Sequence, residues 1–254
     1  MQPKLTLVGA GPGDGELITL KGIRALRQAD VVLYDDLAND SLLDFAPKQA
    51  LKTYVGKRAG KASFTQEEIN TLIVRLAQEH GHVVRLKGGD PYVFGRGFEE
   101  FDYARQYGIP CDVVPGVSSS IAVAASQGIP VTSRGVSESF WVITGTTRNG
   151  ELADDLRLAV QSKATVIVLM GLSKINEICA LYCQAGRGQL PMAVVQNGTR
   201  PDEQSVIGQV WNIPQLVAEQ GMGAPAVLII GEVVSLHPSY LAECLRSSYR
   251  VVEF

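Results

Sequence analysis

An α/β fold in two domains is the architecture this sequence predicts, with a mostly parallel sheet in the first domain and a mixed sheet in the second. Three observations predict it. Short β-branched runs alternate with amphipathic helical stretches through the first 115 residues, which is the pattern of repeated βαβ units. Beyond residue 196 the alternation changes: strand-like runs at 206–210 and 226–230 have only a short helix between them, so hairpin pairing enters the second sheet. At 254 residues the chain is also long enough for two cores of about 120 residues each.

The elements of the first half follow in order. Leu5-Thr6-Leu7-Val8 is a short buried strand entering the loop Gly9-Ala10-Gly11-Pro12-Gly13-Asp14, with a helix over residues 19–28. The loop resembles a dinucleotide fingerprint but lacks its chemistry. Asp14 replaces the third glycine, and Pro12 has no N–H to offer a phosphate. An aspartate at a helix start also repels a pyrophosphate, so the loop suits a phosphate-free ligand.

Val31-Val32-Leu33-Tyr34 is the second strand and delivers Asp35 and Asp36 to its carboxyl end, either as helix caps or as ligand-facing acids. Residues 51–55 form the third strand. The loop Gly56-Lys57-Arg58-Ala59-Gly60-Lys61 follows, whose cations are solvated unless the substrate is a polyanion. Thr65-Gln66-Glu67-Glu68 is a capping box for a helix with Ile69, Leu72, Ile73 and Leu76 on one face, ending near Gly81.

The stretch from His82 to Glu100 carries the most chemistry. Val83, Val84 and Leu86 mark a strand, Gly88 and Gly89 let the backbone turn close to a ligand, and Asp90 stands at the strand's carboxyl end before Pro91. Arg96 and Glu99, three apart at the next helix start, point to one side as an exposed ion pair or as ligand-binding groups. The helix stops at Gly108, and residues 111–114 form a fifth strand. Ser118 and Ser119 then precede a small-residue helix; no Gly-x-Ser-x-Gly elbow is present, so a hydrolase nucleophile is not expected.

The second half alternates strand 140–144, helix 154–162, strand 165–170, helix 175–185 and strand 192–196. Met170 stands at a strand end where a methionine is ordinarily core, and Asn197-Gly198-Thr199 reads as a tight turn. Domain limits at 1–116 and 117–245 are expected, with a linker near 128–138 and a loosely held tail at 246–254. Hydrophobic residues make up 46%, charged residues 19%, and the net charge is -3, so neither nucleic acid nor a membrane surface is indicated as partner. The apolar runs at 164–172 and 224–230 are too short to span a bilayer. The first residues enter a strand with no signal-like apolar stretch, and a cytoplasmic location is expected. Cys111, Cys179, Cys183 and Cys244 have no metal-site spacing, so no metal is expected and core packing is their role.

These residues together resemble the tetrapyrrole methyltransferases, and most closely the branch that C-methylates uroporphyrinogen III. The resemblance runs from about residue 4 to 234. It rests on Val8-Gly9-Ala10-Gly11-Pro12-Gly13-Asp14, Val31-Val32-Leu33-Tyr34-Asp35, Val55-Gly56-Lys57-Arg58, Arg85-Leu86-Lys87-Gly88-Gly89-Asp90-Pro91, Phe94-Gly95-Arg96-Gly97, Gly128-Ile129-Pro130-Val131-Thr132, Met170-Gly171 and Asn197-Gly198-Thr199. It implies an active site in the cleft between two α/β domains, a homodimer, and S-adenosylmethionine (SAM) as methyl donor, leaving S-adenosylhomocysteine. It implies two methyl transfers to uroporphyrinogen III, giving precorrin-2 for the sirohaem, cobalamin and haem d1 branch. Pro12, Gly88, Gly89, Asp90, Val93, Ser118, Ser119, Met170 and Gly198 match positions that line the SAM site. Asp35 and Lys57 match a proton acceptor and donor, and Arg96 and Glu99 match positions for substrate binding and catalysis.

The chemistry of the residues agrees. A pyrrole carbon that gains a methyl becomes cationic and must lose a proton to a base, for which Asp35 is placed. The substrate's carboxylate arms call for cations, which Lys57, Arg58, Lys61, Arg96 and Arg134 supply. Four positions depart from the family pattern: Asp36 stands in place of arginine, Phe98 of glycine, and Ser133 and Thr146 of histidines. The competing readings are a later precorrin methyltransferase, the ribosomal RNA 2'-O-methyltransferase branch, which the acidic balance opposes, a non-catalytic tetrapyrrole or SAM sensor, and a nicotinamide dehydrogenase, which Pro12 and Asp14 oppose.

Overall fold

The computed structural model describes residues 2–56, 64–240 and 242. It divides into two compact units, Met1–Ser119 and Ser120–Phe254, a division three residues beyond the limit expected at 116.

In the first unit, β1 (Lys4–Gly9), β2 (Val31–Tyr34), β3 (Leu51–Tyr54), β4 (His82–Lys87) and β5 (Cys111–Val114) make a parallel sheet in the order β3-β2-β4-β1-β5. Apolar residues face both ways because both sides are covered. Leu5, Leu7, Val31, Leu33 and Val83 pack under α2 (Gln66–His80) and α3 (Gly97–Gln106). Val8, Val32, Val84 and Leu86 pack under α1 (Leu20–Arg27) and the 3-10 turn Asp40–Phe45.

The ends of these helices follow from local chemistry. Thr65 caps α2 as expected: its hydroxyl accepts from the Glu68 N–H at 3.2 Å and its own N–H donates to Glu68 Oε2 at 2.7 Å. Asp14 caps the 3-10 turn Gly15–Leu17 by accepting from the Glu16 N–H, so a carboxylate occupies that dipole site. Neighbouring strands β1 and β4 send α1 and α3 to opposite faces of the sheet. That is the topology in which an α/β sheet binds ligands beyond its strand ends.

In the second unit, α4 (Ser119–Ser126) starts at the division. There β6 (Phe140–Thr144), β7 (Thr165–Leu169), β8 (Pro191–Gln196), β9 (Gln204–Gln209) and β10 (Ala226–Ile230) form a sheet in the order β6-β7-β10-β8-β9. Only β6 and β7 pair parallel; β10 runs antiparallel to both of its neighbours, and β8 and β9 form an antiparallel hairpin. The mixed sheet is therefore the one expected. Its core lies under α5 (Asp155–Ala159), α6 (Ile175–Gln184) and α7 (Ile213–Glu219). Cys179 is buried against Met192, as a packing cysteine should be, whereas Cys183, one turn later, is exposed.

Candidate active site

At the carboxyl ends of β1, β4 and β5 three loops meet backbone to backbone. A methyl added to Gly116 would stand 2.2 Å from the Gly89 carbonyl oxygen and 2.7 Å from Gly9 Cα, and one added to Gly9 would stand 2.4 Å from the Gly116 nitrogen. Gly11 and Gly89 exchange backbone hydrogen bonds at 3.3 and 2.7 Å, in an isolated antiparallel bridge. Asp90 ties the junction together: Oδ1 accepts from the Tyr92 N–H at 2.8 Å, and Oδ2 accepts from the Gly116 N–H at 3.1 Å. Gly88 is fixed against Leu37, which a side chain at that position would strike at 2.4 Å. Pro12, Val93, Ser118 and Ser119 are half-buried around the junction, with Val93 N–H donating to the Asp90 carbonyl at 3.2 Å. The structure thus brings Gly88, Gly89, Asp90 and Val93 together on one loop and Ser118 and Ser119 onto its neighbour.

Asp35 sits just past the end of β2 and is half-buried. Oδ1 accepts from the Leu37 N–H at 3.2 Å in a local turn, while Oδ2 accepts from Arg85 Nη2 at 2.9 Å. The acid thus closes a local turn, with Asn39 rather than Asp35 capping the 3-10 turn that follows, and its other oxygen is held by a buried guanidinium. Arg85 was not singled out by sequence reasoning. Asp36 is exposed and accepts a short hydrogen bond from the Tyr54 hydroxyl, so this acid is engaged within its own unit. Lys57, Arg58 and Lys61 lie outside the described residues.

The loop leading to α3 is strained. Phe94 and Arg96 both adopt positive φ, 53° and 56°, which costs free energy in residues with a Cβ and is kept where the surroundings enforce it. Gly95 and Gly97 wrap the Pro91 carbonyl so closely that added methyls would meet it at 2.7 and 2.6 Å, and the Gly97 N–H donates to it at 3.0 Å. This geometry sets Arg96 at the mouth of α3, where Nε and Nη2 donate to Glu99 Oε1 and Oε2 at 2.8 and 2.7 Å. The Glu99 hydrogen bonds raise the Arg96 guanidinium above its already high ordinary value. The pair is half-exposed on both sides, at 56% and 51%. A guanidinium has five donors, more than this fork consumes, so Arg96 retains capacity for a further carboxylate. Phe98 is exposed and stacks on Phe101, a centroid distance of 6.5 Å.

In the second unit Met170 follows β7 with φ 56° and is 52% exposed, so it is not the core methionine that its position suggests. Its carbonyl accepts from the Thr146 hydroxyl at 3.0 Å. Gly198 lies buried between Asn197 and Thr199, which take φ of 52° and 68° in the tight turn after β8. A side chain on Gly198 would strike Val123 of α4 at 2.5 Å. Glu203 holds this turn to α4: Oε2 accepts from the Thr199 N–H at 2.6 Å and from the Ser126 hydroxyl at 2.9 Å, and Oε1 accepts from the Gln127 amide. Arg134 is exposed. Among the described residues no group of histidine, cysteine and carboxylate side chains is arranged to hold a metal ion.

Comparison with known proteins bears on this geometry. The uroporphyrinogen-III C-methyltransferase of Methanocaldococcus jannaschii is 43% identical over 238 residues, which cover 93% of this chain and 98% of that one. The siroheme synthase 1 of Pectobacterium atrosepticum is 46% identical over 236 residues; the match spans 92% of this chain but 48% of that longer protein. Among solved structures, the uroporphyrin-III C-methyltransferase of Thermus thermophilus complexed with S-adenosylhomocysteine superposes with a TM-score of 0.77 at 41% identity, covering 92% of this chain and 99% of that one. The family model of tetrapyrrole (corrin/porphyrin) methylases matches residues 4–214, and the chain belongs to that family.

Proposed function

We propose that this chain is a SAM-dependent C-methyltransferase that methylates two pyrrole carbons of uroporphyrinogen III to give precorrin-2. The observation that carries the reading is the placement of Asp35 beside a glycine-built junction that has no phosphate-binding chemistry. The N–H groups of Gly11 and Gly89 are spent on each other, Pro12 has none, and Asp14 occupies the following turn. A dinucleotide would find a carboxylate where it needs donors, whereas a nucleoside with a zwitterionic tail and no phosphate suits the close backbone approach. The identity of 43% to the archaeal enzyme over nearly the whole of both chains supports the substrate assignment.

Bound SAM supplies an electrophilic sulfonium methyl. Pro12, Gly88, Gly89, Asp90, Val93, Ser118 and Ser119 are the residues we assign to holding it, and Met170 and Gly198 are assigned by the resemblance alone. Most of the rate in such a transfer comes from positioning the two reactants. Asp35 removes the proton that the methylated macrocycle must lose, a role worth about 10²- to 10⁴-fold in general-base catalysis. Lys57 is the matching donor by resemblance. Arg96, oriented by Glu99, binds a carboxylate arm of the substrate, and Phe98 beside it adds an apolar surface that family members with glycine there do not have. No helix among the described residues is long and apolar enough to cross a membrane. The same resemblance supports a cytoplasmic homodimer with a small-molecule substrate.

The test is an anaerobic incubation with uroporphyrinogen III and SAM, followed by the mass of the tetrapyrrole. A gain of two methyl groups is expected. S-adenosylhomocysteine binding with no methyl gain would refute the substrate and move it to a later precorrin.

A further inference from the structure

Behind Asp35 the first unit buries a cluster of charges that methyl transfer, as described above, does not use. On β4 the residues at 83, 85 and 87 alternate onto the face covered by α2 and α3, so Val83 is followed on that face by two cations. Arg85 is 3% exposed and Lys87 5%. Between them lies Glu100 of α3, 1% exposed, whose Oε1 accepts from Lys87 Nζ at 3.0 Å, from Arg85 Nε at 3.4 Å and from Gln66 Nε2 at 3.3 Å. Gln66 also donates to Asn70 at 3.0 Å. The second oxygen of Glu100 has no hydrogen-bond partner among the described residues. With Asp35 the group sums to zero charge, two cations against two carboxylates.

Such a cluster is a poor way to stabilise a fold. Packed apolar side chains of the same volume often serve as well as a buried ion pair, and an orphaned carboxylate oxygen is a further cost. Burial and the neighbouring Arg85 cation push the Lys87 ammonium below its ordinary value. What the arrangement does achieve is directional. Arg85 spends each of its three nitrogens on a different acceptor: Nε on Glu100, Nη1 on the Leu86 carbonyl at 2.8 Å and Nη2 on Asp35 at 2.9 Å. A planar guanidinium held at two corners can present its third in only one direction.

We propose that Arg85 is a positioning residue for methyl transfer: Glu100 and the Leu86 carbonyl lock its guanidinium, which fixes the Asp35 carboxylate at the mouth of β2 in a single orientation. The inference rests on Asp35 being the base of the reaction proposed above. Lys87 donates to Glu100 and balances the charge of the cluster, and none of the three buried residues need touch substrate.

A mutant cycle in the intact chain separates this from a structural role. Arg85→Lys keeps a buried cation beside Glu100 but cannot span three acceptors. Arg85→Gln combined with Glu100→Gln leaves Lys87 against Asp35 and keeps the charge sum at zero, so at least one of the two variants should fold. Each is made alone and on an Asp35→Asn background, and kcat and KM for uroporphyrinogen III are measured with S-adenosylhomocysteine affinity by calorimetry and the unfolding midpoint. The expected result is a fall in kcat of roughly 10- to 100-fold, the scale on which small misplacements of a reacting group act, with KM, ligand affinity and midpoint near wild type. On the Asp35→Asn background the same changes should cost almost nothing further, because groups that act as a unit are non-additive. Equal losses on both backgrounds, or an unchanged kcat in the variants, would overturn the inference and leave Asp35 as base. Asp35→Asn turning over at the wild-type rate would remove the base assignment, and this inference with it.

Discussion

Gly116→Ala tests whether the junction of three loops organises the proposed cofactor site. The Gly116 φ lies outside the left-handed region, so alanine is conformationally acceptable there and would by itself stiffen the unfolded chain. The whole effect is therefore steric. Its methyl would meet the Gly89 oxygen at 2.2 Å where ordinary contact starts at 3.4 Å, so the loops must part by about 1.2 Å. That movement pulls the Gly116 N–H from Asp90 and loosens the Gly11 to Gly89 bridge. Overpacking of this kind costs about 1–3 kcal/mol, and in a chain of this size each kcal/mol lowers the unfolding midpoint by about 2–4 °C. A misplacement of about 1 Å is also worth about 100-fold in rate. Calorimetry with S-adenosylhomocysteine and a thermal melt read both consequences, and we expect at least a tenfold loss of affinity, about 1.4 kcal/mol. Gly108→Ala is the control, since Gly108 has φ 72° and nothing within 4 Å of an added methyl. It should lose roughly 1–2 kcal/mol of stability through left-handed strain and leave affinity untouched. Wild-type affinity and melting in Gly116→Ala, or equal affinity losses in the two variants, would refute the reasoning.

Three further outcomes are expected. Asp35→Asn should lower kcat by about 10²- to 10⁴-fold while S-adenosylhomocysteine binds as in wild type, which single-turnover methyl transfer and calorimetry would read together. Glu203→Ala removes the acceptor of the Thr199 N–H and the Ser126 hydroxyl, so the Gly198 turn should lose its hold on α4 and S-adenosylhomocysteine affinity should drop several-fold, with kcat at saturation little changed. His82 concerns stability: burial is the largest cause pushing its imidazole below the ordinary 6.5, with Lys4 adding to it and the Gln28 carbonyl, Asp30 and Asp112 opposing. The Gln28 carbonyl can only accept, so Nδ1 carries the proton and donates at 3.0 Å while Nε2 meets the Thr6 hydroxyl at 2.8 Å. Below 6.5 the unfolded chain binds the extra proton first, so this contribution is present in full above that pH and lost as pH falls through the folded value. Urea unfolding should show lower stability near pH 5.5 than near pH 7.5, and His82→Gln should reduce the difference.

The first sheet was legible because each strand is a short apolar run between residues with one physical reading. Val31 to Tyr34 ends at two aspartates, Gly108 stops α3, and Thr65 with Glu68 starts α2. The connection from β2 to β3 was not read, since Asp40–Phe45 is a 3-10 turn whose apolar residues are too few to show a period. In the second sheet the change of pairing was visible but the order was not. Ala226 to Ile230 is apolar at every position, which identifies a strand buried on both faces. Insertion between β7 and β8 depends on partners 30 or more residues away, which local pattern does not encode.

The site divides along the same line. Asp90, Arg96 and Glu99 could be singled out because each stands next to glycine, proline or a helix start, and Asp35 because it ends a strand, where backbone chemistry limits what a polar residue can do. Met170 was marked by resemblance alone, because a methionine after an apolar strand has the composition of core, whereas the residue has a left-handed backbone and is exposed. Arg85, Lys87 and Glu100 were missed for a subtler reason: Val83, Arg85 and Lys87 alternate with Val84 and Leu86, and a strand with cations on every second position reads as one solvated face. The neighbours contradict that reading. Leu5 and Leu7 on one side and Val31 and Leu33 on the other place apolar residues on the same face, so this face is covered, and cations beneath a cover must be paired. The partner can come only from the covering helices. On α3 the face that meets the sheet includes Gly97, Glu100 and Ala104, all buried, with one acid among them. A strand cation under a helix whose inner row contains a single acid is a signal that sequence carries, once strand order is known. Recognising it requires reading β4 against β1 and β2 together, and a pass along one strand cannot supply that comparison.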